Sequence, residues 1–208
     1  KNKKWVVRNK INGFDISSRL FEISKNGKII VSHGYKGVYK LALSSDLYNL
    51  KSVKMDSSVT IGGNASLAKF DNEIYYNYSG GFFRYDDKKD TFINDVFLSK
   101  LSEKELINGI IINDKDKKLW LFSKSYMHYL SKDLMSNEKK VKSIIFPEKL
   151  RKTVFENVSK IKNEEYIIGT NNGYISFNLD NYTLTPPVIQ IDKIEINEVG
   201  ETPLSVSK

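Results

Sequence analysis

Four segments of the chain repeat one alternation of apolar and polar positions. Each has a short apolar run, a polar turn, a second run rich in apolar and aromatic residues, a turn of small residues, and a third run that carries aromatics. The segments span residues 20–41, 66–86, 110–130 and 158–180. Because the period is close to two and many of the residues are aromatic or β-branched, the pattern predicts β-strands rather than helices.

The repeats are evenly spaced. Their second runs are 45, 45 and 47 residues apart, counted from Ile29, Ile74, Leu119 and Tyr166. A period in the forties built of short strands is typical of β-propeller blades. Weaker runs between the repeats predict a partly solvated fourth strand, as at Leu50–Met55 and Thr91–Leu98. Short helical turns are expected around Leu101–Leu106 and Pro147–Val154.

This pattern predicts an all-β fold of four-stranded antiparallel propeller blades, about four in number and part of a larger ring. The blades are expected at residues 17–62, 63–107, 108–155 and 156–185. Residues 1–16, which contain Trp5-Val6-Val7-Arg8, are interpreted as the last strand of a preceding blade. After Pro186-Pro187 the pattern changes, and residues 186–208 are expected to begin an Ig-like sandwich domain with alternating Ile189, Ile191, Ile194 and Ile196.

The glycine-rich stretch EYIIGTNNGYISFNLD, at residues 165–180, raises a choice between a phosphate-binding loop and a hairpin turn. It is the fourth copy of the repeat, and Gly169 and Gly173 stand at the end of its second strand and the start of its third. Tight hairpin geometry favours residues without a Cβ at such positions. Since no helix is predicted to follow and offer its N-terminus to a phosphate, the stretch is interpreted as a turn.

Composition narrows the possible functions. The chain of 208 residues has no cysteine, which excludes thiol catalysis, cysteine-based metal sites and disulfides. A net charge of +8 could indicate an anionic partner such as nucleic acid, an acidic glycan or a membrane surface. The lysines are scattered, however, which indicates a solvated surface rather than a dedicated anion site. No apolar run approaches the length of a membrane-spanning helix.

The sequence carries no enzyme signature. Its two histidines, His33 and His128, lie in different repeats, and no zinc-protease, nucleophile-elbow or phosphate-loop motif occurs. The run DKDKK at 114–118 lacks the glycine and distal glutamate of a calcium loop, and is predicted to be a hairpin turn. We therefore expect no catalytic residues, no metal and no cofactor. A glycan-active enzyme stays open, because an acid and a base need not be near in sequence.

Two segments resemble the two-component-regulator propeller repeat, in which the pattern D-x-x-G-x-L-W-I-G-T-x-x-G-L-x-x-Y recurs. They are KKLWLFS at 117–123 and EEYIIGTNNGYISF at 164–177. Tyr166–Gly173 matches the second strand and turn of that repeat, Ile74–Gly81 keeps the final glycine, and Leu119–Tyr126 loses both glycines. SHGYKGVYKL at 32–41 is similar to flavobacterial triple-tyrosine sensor regulators, and the Pro-Pro-Val-Ile tail resembles the entry to their triple-tyrosine domain.

This resemblance implies the periplasmic sensor region of a Bacteroidetes-type regulator anchored in the inner membrane. A transmembrane helix and a kinase or helix-turn-helix output would lie downstream. Many relatives are thought to sense carbohydrate fragments, so the resemblance implies an oligosaccharide or other small ligand. It also implies a homodimer in the intact sensor, and no direct contact of this region with nucleic acid.

The topology of a four-stranded blade predicts where a ligand would bind. The turn between the second and third strands shares a face with the link between consecutive blades. Tyrosine rings stack on sugars, while Asn, Arg and Lys provide the polar contacts that fix orientation. The candidate ligand-binding residues on this face are Arg19, His33, Tyr35, Asn64, Tyr78, Lys124, Tyr126 and Asn171.

Each candidate also has a purely structural interpretation. His33 could cap a turn, Tyr35 and Tyr78 could cover the ends of strands, and Asn171 could serve left-handed turn geometry. Trp5 and Trp120 lie on predicted strands and are interpreted as core packing between blades.

Three functions remain open from the sequence. The first is a non-catalytic sensing propeller that binds a ligand and passes a signal to an output domain. The second is a structural or protein-interaction propeller that mediates dimerisation. The third is a glycan-active enzyme, which would need two carboxylates converging on a central pocket. The first is preferred on the family resemblance.

Overall fold

The structure is a computed structural model, and it describes residues 4–62, 65–78, 80–104, 111–114, 118–123, 126–133, 135–136, 138–146 and 156–181. These residues form four separate antiparallel sheets, in each of which the strands pair in chain order. We call the sheets blades 1 to 4. The all-β prediction is confirmed.

Blades 1 and 2 each have four strands. Those of blade 1 are β1 (Leu20–Ile23), β2 (Ile29–His33), β3 (Gly37–Leu43) and β4 (Leu50–Met55). Those of blade 2 are β5 (Ser66–Phe70), β6 (Glu73–Tyr78), β7 (Gly81–Asp86) and β8 (Thr91–Asn94). A short helix, α1 (Val96–Lys104), follows blade 2.

Blade 3 also has four strands, and blade 4 has three among the residues described. Those of blade 3 are β9 (Ile111–Asn113), β10 (Leu119–Phe122), β11 (Tyr126–Lys132) and β12 (Lys139–Ile145). Those of blade 4 are β13 (Val158–Lys162), β14 (Glu165–Thr170) and β15 (Gly173–Asn178). The second strands of all four blades begin at, or one residue before, the positions that the repeat predicts.

One predicted boundary is wrong. The fourth strand of blade 2, expected over Thr91–Leu98, ends at Asn94, and α1 begins at Val96. Asp95 stops the strand because its carboxylate accepts a hydrogen bond from the backbone N–H of Leu98 at 3.0 Å, which is an N-cap. The helical turn expected around Pro147–Val154 lies outside the described residues.

The apolar core lies between the blades, in three clusters. One joins blades 1 and 2, another joins blades 2 and 3, and the third joins blades 3 and 4. The middle strands are therefore buried on both sides. In β6, Tyr75 and Tyr76 are adjacent and fully buried, and Tyr76 packs toward blade 1 while Tyr75 packs toward blade 3. Trp120 is buried in the third cluster, as predicted.

Lysines also link neighbouring blades. Lys118 Nζ of blade 3 lies 3.0 Å from a carboxylate oxygen of Glu164 and donates a hydrogen bond of 2.8 Å to the Tyr166 hydroxyl of blade 4. Lys139 Nζ of blade 3 lies 3.1 Å from Glu73 of blade 2. Burial by itself raises the pKa of Glu164, but hydrogen bonds from Lys118 and Lys160 bring it below its ordinary value.

The N-terminal segment differs from its prediction. Trp5 is fully exposed, and residues 4–11 form no strand, so the expectation that Trp5 packs in a core is wrong. No strand within the described residues lies beside this segment to cover the ring. Among the described residues, the first backbone pairing is a parallel bridge between Asn12 and Asn49 of blade 1.

The proposed domain boundaries stay predictions. The Ig-like strand expected within residues 186–208 lies outside the described residues, which end at Asn181. Among the residues described, no helix is both long and apolar enough to cross a membrane.

Candidate ligand-binding site

Six of the eight candidate residues lie in the described part of the chain, at the end of the blades that the topology predicts. Arg19 precedes β1, His33 ends β2, Tyr78 ends β6 and Tyr126 begins β11. Tyr35 and Asn171 lie in the turns between the second and third strands of blades 1 and 4. Asn64 and Lys124 lie outside the described residues.

Arg19 and His33 line one cavity of about 280 Å³, together with Ser17, Ser18 and Gly34. The strand register of blade 1 explains why Arg19 and His33 lie next to each other. Leu20 of β1 lies opposite Ser32 of β2, so the next opposing positions beyond this pair are Arg19 and His33. We call this space the Arg19–His33 cavity. Two of the residues predicted from sequence are thus brought together by a single strand pairing.

The His33 ring also organises the turn that follows it. Its Nδ1 accepts hydrogen bonds from the backbone N–H groups of Tyr35 at 3.2 Å and Lys36 at 3.1 Å. The residue is buried, and the Tyr35 ring packs against it edge to face with centroids 4.4 Å apart. The turn-capping interpretation of His33 therefore holds, and it is compatible with a place in the cavity wall.

Tyr35 follows the lining residue Gly34 in the chain and is not itself among the residues that line this cavity. Its residue surface is 67% exposed, although its ring touches His33. An exposed tyrosine ring held by a neighbouring side chain can stack on a sugar with little loss of side-chain entropy.

Tyr78 fits its structural interpretation better than ligand contact. It is 8% exposed and belongs to the cluster between blades 1 and 2. Its ring stacks on Phe83 with centroids 5.5 Å apart, and its hydroxyl accepts a hydrogen bond of 2.8 Å from Thr60. The Tyr78 side chain therefore packs at the end of β6, within the apolar cluster between blades 1 and 2.

Tyr126 and Asn171 lie at the same end of blades 3 and 4. The Tyr126 ring stacks on His128 with centroids 5.9 Å apart, and His128 Nδ1 lies 2.7 Å from the Ser143 hydroxyl. In the blade 4 turn the left-handed backbone position belongs to Gly173, with φ 137°, and not to Asn171. Asn171 is therefore not needed there for left-handed geometry.

A second cavity, of about 420 Å³, lies at the opposite end of β1, β5 and β9, the first strands of blades 1 to 3, which we call the inner strands. The sequence did not predict this cavity. Its lining residues are polar: Glu22, Lys69, Asp71, Asn72 and Asn113. Burial raises the pKa of Glu22, although the Lys69 backbone N–H donates to its carboxylate at 3.0 Å. A sequence signal existed, because Glu22, Lys69 and Asn113 are polar residues near the ends of three successive inner strands.

The described residues give no sign of a metal centre. Among them no three histidine, aspartate or glutamate side chains converge in a way that could hold a metal ion. The lining of the Arg19–His33 cavity that the structure describes contains no carboxylate.

Comparisons with known proteins support the fold. No protein-family profile and no curated protein sequence matches the chain. The solved structures that match include two of the extracellular domain of BT4673 from B. thetaiotaomicron. In one, BT4673 is described as a one component system; identity is 11%, the TM-score is 0.50, and the match covers 77% of this chain and 21% of that one. In the other it is described as a hybrid two component system; identity is 12%, the TM-score is 0.52, and coverage is 84% and 24%.

This chain therefore spans about a quarter or less of the length of the structures it matches. At such low identity the likeness shows the fold alone, an all-β array of propeller blades. Both structures are extracellular domains of signalling systems, which is the kind of protein that the sequence resemblance implies.

Proposed function

We propose that this chain is a non-catalytic, ligand-sensing propeller region of a signal-transduction or transcription regulator. It would lie in the periplasm, bind an oligosaccharide or other small ligand, and pass the signal to a downstream kinase or DNA-binding output. In the intact sensor the region would be dimeric. The sequence resemblance and the signalling systems among the similar structures support this role.

The observation that carries the proposal is the Arg19–His33 cavity. Its two named residues were chosen from the topology of the repeat, and both line one cavity at the expected end of the blade. Small-molecule sites are concave and have a few convergent polar groups that fix the orientation of the ligand. The exposed Tyr35 ring, which contacts His33, provides an aromatic surface next to these groups.

A protein-interaction propeller is the second candidate, and one observation favours it. Blade 1 exposes large apolar side chains on the face that points away from blade 2: Phe21, Ile23, Val53 and Met55. These side chains lie on the two outer strands of the blade, β1 and β4. Exposed apolar side chains on one face of a sheet favour packing of that face against a partner. A glycan-active enzyme is the third candidate. The described lining of the Arg19–His33 cavity contains no carboxylate. The second cavity is lined by two, Glu22 and Asp71, of which Asp71 forms an ion pair of 2.8 Å with Lys132.

Ligand binding can be tested by thermal unfolding of the chain against a panel of oligosaccharides. We expect at least one saccharide to raise the melting temperature in a concentration-dependent way, because a ligand that binds only the folded state stabilises it by mass action. Arg19→Ala should remove the shift. Lys51→Ala should leave it unchanged, because Lys51 is exposed on β4 and is not among the residues that line the cavity.

Two results would count against this function. One is the absence of a saturable shift across the panel, and the other is a shift that Arg19→Ala leaves intact. Self-association that is independent of ligand and is abolished by Phe21→Lys would instead favour the interaction propeller. It can be measured by light scattering coupled to size-exclusion chromatography.

A further inference from the structure

Hydrogen bonding fixes the proton position of His33. Because Nδ1 accepts from two backbone N–H groups, it cannot itself carry a hydrogen, and the neutral ring must hold its proton on Nε2. Nε2 makes no hydrogen bond within the described residues, although His33 is buried and lines the cavity. His33 therefore lines the Arg19–His33 cavity and has one ring N–H donor that is not used within the described residues.

The other lining groups are also suited to donate. Arg19 is a permanent cation whose planar guanidinium can give two parallel hydrogen bonds to a carboxylate or sulfate. Ser17 adds a hydroxyl group, and no described lining residue carries a negative charge. The Ser18 hydroxyl already donates a hydrogen bond of 3.4 Å to the backbone carbonyl of Ile16. A cluster of donors around a fixed positive charge favours an oxyanion over a neutral hydroxyl, which needs acceptors as well as donors.

The two cavities of the inner strands differ in charge. The described lining of the Arg19–His33 cavity has one cation and no carboxylate. The lining of the second cavity has two carboxylates, those of Glu22 and Asp71, and one cation, Lys69. The net charge of +8 is spread over the whole surface and would not distinguish the two ends. The local arrangement therefore supports anion binding at one end only.

We propose that the Arg19–His33 cavity binds the anionic group of an acidic saccharide, a carboxylate or a sulfate. The exposed Tyr35 ring beside it would stack on the sugar that carries the group. This inference rests on the proposed function and specifies the class of ligand. Carboxylate and sulfate present the same oxygen acceptors to the donors, and separate probes distinguish them.

Isothermal titration calorimetry with three probes tests the class of ligand. The probes are glucuronate, glucose 6-sulfate and glucose. We expect one or both acidic probes to bind roughly tenfold or more tightly than glucose, because hydrogen bonds to a charged group are stronger than those to a neutral one. Binding of only one acidic probe identifies the group. Equal or tighter binding of glucose, or no binding of either acidic probe, overturns the inference.

Three variants show whether the cavity is responsible. Arg19→Ala should lower the affinity for the acidic probe by roughly tenfold to a hundredfold. His33→Asn should weaken it less, because asparagine can still accept from the turn N–H groups through Oδ1 but lacks the Nε2 donor. Lys51→Ala removes the same charge at an exposed position on β4 and should have no effect. Thermal unfolding in the absence of a probe checks that each variant is folded.

These outcomes separate the inference from the proposed function. If Lys51→Ala lowers the affinity for the acidic probe as much as Arg19→Ala does, binding depends on net charge, and the proposal of an anion site in this cavity is wrong. If a neutral saccharide binds and Arg19→Ala removes that binding, sensing at this cavity stands while the preference for an anion falls.

Discussion

At the scale of single residues, Lys40 on β3 places a charged group in the interior, where its stability depends on its partners. Its ammonium group is almost fully buried and lies 3.0 Å from the carboxylate of Asp56, which is only 1% exposed. The same Nζ donates a hydrogen bond of 2.6 Å to the backbone carbonyl of Asp90 in blade 2. Within the described residues Asp56 Oδ2 has no hydrogen-bond partner, so the Lys40 charge is what balances it. Lys40 therefore links two blades through a buried charge.

We predict that Lys40→Met destabilises the protein by about 3–5 kcal/mol, since it keeps most of the side-chain volume but leaves a buried carboxylate without its cation. Adding Asp56→Asn should recover part of this loss, because the amide oxygen can still accept from the Ser58 N–H as Asp56 Oδ1 does at 2.7 Å. Urea unfolding measures both changes. A loss below about 1 kcal/mol in the single variant would show that the carboxylate is not dependent on Lys40.

At the scale of elements, three of the blades share one feature of the turn before their third strand. The third strand begins with a glycine of positive φ in blades 1, 2 and 4, at Gly37, Gly81 and Gly173. Gly169, at the end of the second strand of blade 4, has no such φ, and a Cβ added to either Gly169 or Gly173 would meet no atom within 4 Å. The two glycines of this hairpin therefore differ only in φ. A residue with a Cβ would be strained at position 173 and not at position 169.

We predict opposite effects of alanine at these two glycines. Gly173→Ala should cost about 1–3 kcal/mol, because φ of 137° is unfavourable for any residue with a Cβ. Gly169→Ala should be neutral or stabilise by up to about 1 kcal/mol, because it restricts the unfolded chain without strain in the folded one. Thermal unfolding of the two variants provides the comparison. Equal destabilisation would mean that the turn tolerates neither substitution for a reason other than φ.

At the scale of the whole molecule, stability is distributed along the array of blades. The three apolar clusters share no residue, and each joins only two neighbouring blades. Such an array behaves as a chain of coupled units, in which a local loss of packing is felt most by the nearest units. The Lys118 and Lys139 contacts add polar links between the same neighbours.

We predict that Tyr166→Ala loosens blades 3 and 4 and leaves blade 1 nearly unchanged. Tyr166 is fully buried and packs on Trp120 with ring centroids 5.1 Å apart, so its loss should cost about 3–5 kcal/mol in that cluster. Hydrogen exchange followed by mass spectrometry should show faster exchange in β10, β11 and β13–β15. Tyr76→Ala, in the cluster between blades 1 and 2, is the matched control and should reverse the pattern. Uniform acceleration across all blades would show a single cooperative unit instead.

The sequence by itself determined the strands, their spacing and the end of each blade at which the candidate residues lie. Alternation of apolar residues and the preference of tight turns for glycine act over a few neighbouring positions, so they can be read along the chain. The proximity of Arg19 and His33 could be predicted from that local order, because strand register by itself decides which residues of two adjacent antiparallel strands lie opposite each other.

Only the tertiary structure decided how those residues are used. It buried Tyr78 between two blades, left Trp5 in solvent and assembled Glu22, Lys69 and Asn113 from three blades into a second cavity. The same aromatic or polar residue can face a neighbouring blade, a cavity or water with no change in its local pattern. Burial and convergence depend on how separate sheets pack, and that packing joins residues that are far apart in the chain.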